Sequence, residues 1–380
     1  MTYLDHNATS PLRAEARAAM ERALSIGGNP SSVHGLGRAA RAAVENARAA
    51  IAAFANVRAE DIVFTSGGTE ANALALWGAV QGAAEAGARI TRLFVSAIEH
   101  DSVLANAAAL AGRTPGLRLE IISVTADGIV DVEALRGLLR EGKGRAFVAV
   151  MAANNETGVV QPIAEIAALM KDHEGTLFVD AVQAIGKIPF SAAMADADYV
   201  SLSAHKLGGP QGVGALIVKE GSPLAAAPLG GGQERGYRAG TENVAGIAGF
   251  GEAARIATSL PATLRDRFEA ELRSTVPNVV IFGEKATRLP NTSNFALPAV
   301  SAETAVMALD LDGVMVSSGS ACSSGKVKPS HVLQAMGVPE ALARSALRVS
   351  FGWSSTVEDI DAAISSISRL LSRVRPRAAA

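Results

Sequence analysis

The run FVAVM at 147–151, followed by IAEIAALMK at 163–171 and TLFVD at Thr176–Asp180, decides the architecture. The outer pieces are short, apolar and rich in β-branched or aromatic residues, which suits strands buried on both faces. The middle piece carries its apolar residues at helical spacing. A strand, a helical crossover and a second strand read as a parallel pair. The same alternation extends in both directions. Strands are predicted at 62–65, 92–96, 119–124, 199–203 and 214–218, with alanine-rich helical stretches between most of them. The expectation is an α/β fold with a mainly parallel sheet between helices, binding its ligand at the carboxyl ends of the strands.

Past about residue 255 the pattern changes. A helical stretch at 262–274 precedes short strands near 279–282, 294–297 and 347–350, and a helix at 357–373 closes the chain. This reads as a smaller α+β domain. The 380 residues, 49% of them hydrophobic, are more than one core covers comfortably. The expected division is a segment 1–14 packing with the small domain, a large domain 15–255 and a small domain 256–380.

Formal net charge is −2, which gives no reason to expect nucleic acid or an anionic membrane as a partner. No run reaches 18 apolar residues, so no membrane span is expected. Tyr3-Leu-Asp-His-Asn7 stands where a signal core would be, and the single cysteine excludes an intrachain disulfide. A reducing cytoplasm is the expected location.

Three polar motifs sit at predicted strand ends. Thr65-Ser-Gly-Gly-Thr-Glu-Ala-Asn72 follows a strand and opens a helix. Its glycines let the backbone approach an anion, and the free N–H groups of the helix start point towards it. It matches neither nucleotide-binding glycine fingerprint. Asp180 ends an apolar strand, where a carboxylate needs a partner; a protonated heterocyclic nitrogen is one, and Gln183 could reach the same ligand. Ser201-Leu-Ser203-Ala-His205-Lys206 runs into a Gly-Gly-Pro turn. A lysine that forms a Schiff base needs a desolvated, partly cationic pocket. Phosphate seat, carboxylate and lysine are the parts of a pyridoxal 5'-phosphate site.

With those parts in place, the sequence resembles the class V aminotransferase superfamily and, within it, the group I cysteine desulfurases of nitrogen-fixation and iron–sulfur assembly type. The resemblance spans nearly the whole chain. It runs from Tyr3-Leu-Asp-His-Asn-Ala-Thr9 and Gly28-Asn-Pro-Ser-Ser-Val-His34 through Ala97-Ile-Glu-His100, Ala153-Asn-Asn-Glu-Thr-Gly158, Val179-Asp-Ala-Val-Gln183 and Ser203-Ala-His-Lys206. It continues through Gly230-Gly-Gly-Gln-Glu-Arg235, Arg238-Ala-Gly-Thr241, Ser317-Ser-Gly-Ser-Ala-Cys322 and Pro329-Ser-His331. It implies a fold-type I pyridoxal-phosphate transferase.

The resemblance also implies roles. Gly68 and Thr69 hold the cofactor phosphate with Ser203 and His205, and His100 stacks on the ring and shuttles protons. Asn154 meets the ring oxygen and the substrate carboxylate, Asp180 the pyridine nitrogen and Gln183 the ring oxygen. Thr241 reaches the phosphate of a neighbouring subunit, which implies a homodimer. Arg348 grips the substrate carboxylate. Cys322 has a flexible, exposed loop around it, Ser317-Ser-Gly-Ser-Ala and Ser323-Ser-Gly-Lys326, in place of apolar periodicity. The family places its persulfide-forming cysteine there.

The implied reaction takes sulfur from L-cysteine, releases alanine and leaves a persulfide on Cys322 for an iron–sulfur scaffold or another acceptor protein. Contact of Cys322 with the iron of a scaffold-bound cluster is an open expectation of that docking. The rival within the family is an aminotransferase or selenocysteine lyase. Gly68, Ala204 and Ala239 depart from the usual alanine, glycine and serine, all small exchanges. Lys326-Val-Lys328 is more basic than many family loops, which points to an acidic acceptor or to support for a thiolate.

Overall fold

The computed structural model describes residues 1–189, 196–297, 300–318 and 329–374. Its main sheet has seven strands in the order β2 (Ile62–Thr65), β8 (Gly214–Val218), β7 (Tyr199–Ser203), β6 (Thr176–Asp180), β5 (Arg145–Met151), β3 (Ile90–Ser96) and β4 (Arg118–Ile122). Neighbours from β7 to β4 are parallel, and β8 alone runs against both of its partners. The expected α/β architecture is present.

The apolar run of β5 shows why its strands carry no polar alternation. Val148 and Val150 enter one buried cluster, while Phe147 and Ala149 enter another on the opposite face. Helices Gly35–Ala55 and Val244–Ile256 cover the first face, and the helical run Gly68–Glu85 with Asp101–Arg113 covers the second. From Ala146 to Met151 each β5 residue is therefore buried whichever way it points.

The later chain builds a three-stranded antiparallel sheet, β12 (Ala346–Ser350), β10 (Thr292–Ala296) and β9 (Val280–Ile281). Helices Thr263–Thr275, Ala302–Leu311 and Val357–Val374 pack with it around Phe268, Phe295 and Phe351. The N-terminal strand β1 (Thr2–Tyr3) pairs in parallel with β11 (Val314–Met315), and Leu4 enters the same cluster.

Two strand boundaries differ from expectation for visible reasons. The run predicted at 119–124 stops at Ile122 as β4, because Val124 instead bridges to Val130 in a turn. β10 begins at Thr292, two residues earlier than predicted. Thr292, Ser293 and Asn294 are polar yet fully buried, and two of them bond across to Asn7 and to the Glu156 carbonyl. Among the described residues no helix is long and apolar enough to cross a membrane.

Candidate active site

A cavity of about 410 Å³ opens where β5, β6 and β7 end. Met151, Asp180 and Ser203, the last residues of those strands, all line it. Its size suits a cofactor or small ligand. Gly68, Thr69, His100, Gln183, His205, Lys206 and Arg348, each expected from the sequence, also line it.

Lys206 closes a single 3₁₀ turn, Ala204–Lys206, directly after β7. Its Nζ donates to the carbonyls of Asn7 and Ala8, both at 2.7 Å. Burial lowers its pKa to about 8; Arg348 pushes the same way, while Asp5 and Asp180 oppose. The cavity thus supplies the desolvated, partly cationic setting that a nucleophilic amine requires. Beside it, burial and then Lys206 lower His205 to about 4, so its imidazole is neutral near pH 7. His205 Nδ1 pairs with Thr9 Oγ1 at 3.0 Å.

The glycine turn is built by necessity. Gly67 has φ 151° and ψ −179°, a region essentially closed to other residues. β8 passes so close that a Cβ on Gly214 would sit 2.6 Å from the Gly67 carbonyl carbon. The first helical bond runs from Ala71 N–H to Gly67 O, which leaves the preceding amides without intrahelical acceptors. Next to this turn the Ser203 hydroxyl is buried with no partner among the described residues. Free amides, an orphaned hydroxyl and a neutral histidine make a donor set that fits a phosphate.

Asp180 is buried and its oxygens accept from Asn72 Nδ2 at 2.8 Å and Val182 N–H at 2.9 Å. Asn72 spends its other Nδ2 hydrogen on Ser102 Oγ, also at 2.8 Å. Ser102 Oγ lies 2.7 Å from His100 Nδ1, and the Ser102 N–H donates to that same nitrogen at 3.1 Å. Nδ1 is therefore an acceptor, and the proton of a neutral His100 sits on Nε2. Glu99 is wholly buried. Desolvation and then the neighbouring Asp180 raise its pKa well above the ordinary carboxylate value.

Arg348 is paired with Asp5 at 2.6 Å and donates to Asn155 O at 3.0 Å, while its Nε is without a partner among the described residues. Asn154 is a correction. It is fully buried behind the wall, with its Oδ1 accepting from the amides of Glu156 and Thr157 and its Nδ2 donating to Ile98 O. The wall position belongs to Asn155. The tight turn turns the first asparagine inwards, and the motif spacing alone does not tell the two apart.

Thr241 is exposed and lines a separate depression with Phe64, Glu234 and Arg238. The loop before it holds two non-glycine residues at positive φ, Glu234 at 45° and Arg235 at 56°. Glu234 is held by Arg48 at 2.8 and 2.9 Å and by the Phe64 N–H at 2.8 Å. Cys322, Lys326 and Lys328 lie outside the described residues. The chain on either side is tied to the cavity. Ser317 bridges to Arg348, Ser330 Oγ donates to Glu156 Oε2 at 2.5 Å, and His331 Nε2 lies 2.9 Å from the Glu99 carbonyl.

Sequence reasoning missed Asp5, Asn7, Asn72, Glu99, Asn155 and Lys187. Lys187 is the most detectable, a lysine within the apolar run Val182 to Ile188 and one helical turn past Gln183. Among the described residues no group of three or more His, Cys, Asp or Glu is placed to hold a metal ion.

Comparison with known proteins bears on this geometry. The family described as Aminotransferase class-V matches residues 2–363. A cysteine desulfurase IscS of Dictyoglomus turgidum is 39% identical over 98% of this chain and 95% of that protein. A solved NifS-like protein from Rickettsia africae is 36% identical, with a TM-score of 0.87 over 98% of this chain and 99% of that one. A structure described as SspA in complex with cysteine is 29% identical, with a TM-score of 0.81 over 92% of this chain and 99% of that one.

Proposed function

The chain belongs to the class-V aminotransferase family, and on that premise we propose that it is a cysteine desulfurase, which takes sulfur from L-cysteine and releases L-alanine. The observation that carries this reading is the meeting of Lys206, Asp180 and the Gly67–Thr69 turn on one cavity. The names of its relatives choose the reaction within the family, and the cysteine held by the SspA structure supports the substrate.

Pyridoxal phosphate, the cofactor of this reading, would supply an electron sink when bound. Gly68, Thr69, Ser203 and His205 would hold its phosphate, Lys206 its aldehyde, Asp180 its ring nitrogen and Gln183 its ring oxygen, with His100 over its face. Arg348 binds the substrate carboxylate, with Asp5 and the Asn155 carbonyl fixing the guanidinium plane. Asn155, on the wall where Asn154 was expected, shares that contact. Lys206, neutral above about pH 8, takes the α-proton. The Cys322 thiolate attacks the substrate sulfur. An S–S bond forms, the substrate C–S bond breaks, and its electron pair stays with the carbon that is protonated to give alanine. The persulfide is then handed to an acceptor protein of an iron–sulfur or related pathway.

The proposal includes a homodimer in which Thr241 serves the neighbouring site, and the division of the chain at residues 14 and 255. The β1–β11 pairing and the exposed, braced loop before Thr241 support both. The experiment is direct. Purified protein given L-cysteine should produce alanine and a persulfide on Cys322, read by mass spectrometry. Cys322→Ser should lose both. Undiminished alanine formation by that variant would overturn desulfuration in favour of another reaction of the family.

A further inference from the structure

Lys187 lies outside the chemistry above, yet its amine is wholly buried one layer behind the cavity wall. Among the described residues it has no carboxylate partner. It donates to Asn7 Oδ1 at 2.6 Å and to Gln183 Oε1 at 2.5 Å. Gln183 stands on the wall and spends one Nε2 hydrogen on the Asn7 carbonyl at 2.9 Å. Asn7 is fixed in turn: its Nδ2 donates to Asn155 O and Thr292 Oγ1, and its Oδ1 also accepts from Asn291. These assignments close on one another. A lysine donates, so Gln183 must turn its carbonyl to the lysine and its amide nitrogen the other way.

We propose that Lys187 is a positioning residue that locks the Gln183 side chain with its second N–H available to the cavity, making that wall position a dedicated donor for an oxygen of the bound ring. The assignment rests on the reading of the cavity as a pyridoxal-phosphate site. Without Lys187, Gln183 Oε1 is a buried acceptor with nothing to accept, and the side chain is free to flip or swing to satisfy it. Desolvation, then Lys206 and Arg348, lower the pKa of the Lys187 amine well below its ordinary value. The ligand chemistry it selects is a phenolic or phenolate oxygen on a planar ring, which accepts and does not need to donate.

The test titrates apoprotein with pyridoxal phosphate and with an analogue whose ring hydroxyl is replaced by hydrogen, following absorbance. Lys187→Met should weaken binding of pyridoxal phosphate about tenfold, the size of one hydrogen bond. The same substitution should change little with the analogue, or in a Gln183→Met background, because the contact it supports is already gone. Equal losses with both ligands and in both backgrounds would show a merely structural role and overturn the assignment. If Lys187→Met does not fold, Lys187→Gln, which keeps an N–H donor, goes through the same comparison. It should bind pyridoxal phosphate nearly as wild type does, and a loss shared by both ligands again overturns the assignment. Failure of the wild-type protein to take pyridoxal phosphate at all is a different result, which removes the cofactor reading and this inference together.

Discussion

Lys206 is a partly buried amine that donates to two carbonyls and is adjacent to a guanidinium, so its charged form is costly. Its pKa is about 8 in the fold against 10.5 for an ordinary lysine. Between those values the unfolded chain binds more protons than the native one, so this group's contribution to stability rises with pH across that window. Lys206→Met should therefore raise the Tm of the apoprotein at pH 7, and the gain should shrink as pH approaches 10.5. A variant less stable than wild type at pH 7 would contradict the account of that amine. That depressed pKa, on an amine that lines the cavity while Lys187 lies behind its wall, makes Lys206 the first lysine expected to react with a small aldehyde and a reductant at pH 8, as peptide mapping would reveal. Residue type and local motif were enough to find Lys206, Asp180 and the glycine turn. Asn7 and Asn72 were not legible, because their partners lie 30 to 343 positions away, and Lys187 shows in the sequence only as a lysine within an apolar run.

At the scale of elements, two devices hold the site in shape. Gly67 occupies backbone space that a side chain does not enter, so Gly67→Ala should cost about 1–3 kcal/mol in urea denaturation. It should also impair pyridoxal-phosphate capture, since the turn cannot keep its form. The Arg48–Glu234 pair pins a loop whose φ angles are already unfavourable. Arg48→Met leaves a buried carboxylate uncompensated and should cost about 3–5 kcal/mol. A loss below 1 kcal/mol would show that the loop does not depend on the brace. The central strands β5, β6 and β8 were readable because each is a short, mainly apolar run bounded by turn residues. β10 was less so, since its buried Thr292, Ser293 and Asn294 look like loop residues until their partners in the other half of the chain are seen.

In the whole molecule, the two sheets share buried hydrogen bonds. Asn7 joins β10 and β12 to the cavity floor, and Asn294 reaches back to Glu156. Such an interface predicts one cooperative transition. Trp77 packs against the large sheet's second cluster, and Trp353 lies against Arg13. Single-tryptophan variants Trp77→Phe and Trp353→Phe should report the same urea midpoint as circular dichroism; separated midpoints would mean that the halves melt independently. The N-terminal thread has a consequence for synthesis. Asn7 N–H bonds to Ser350 Oγ and Asp5 to Arg348, each pair 343 positions apart. A nascent chain can assemble the parallel sheet while it is still on the ribosome, but it cannot close the reactive pocket until β12 has left the exit tunnel. The fold thereby withholds its chemistry from every unfinished copy.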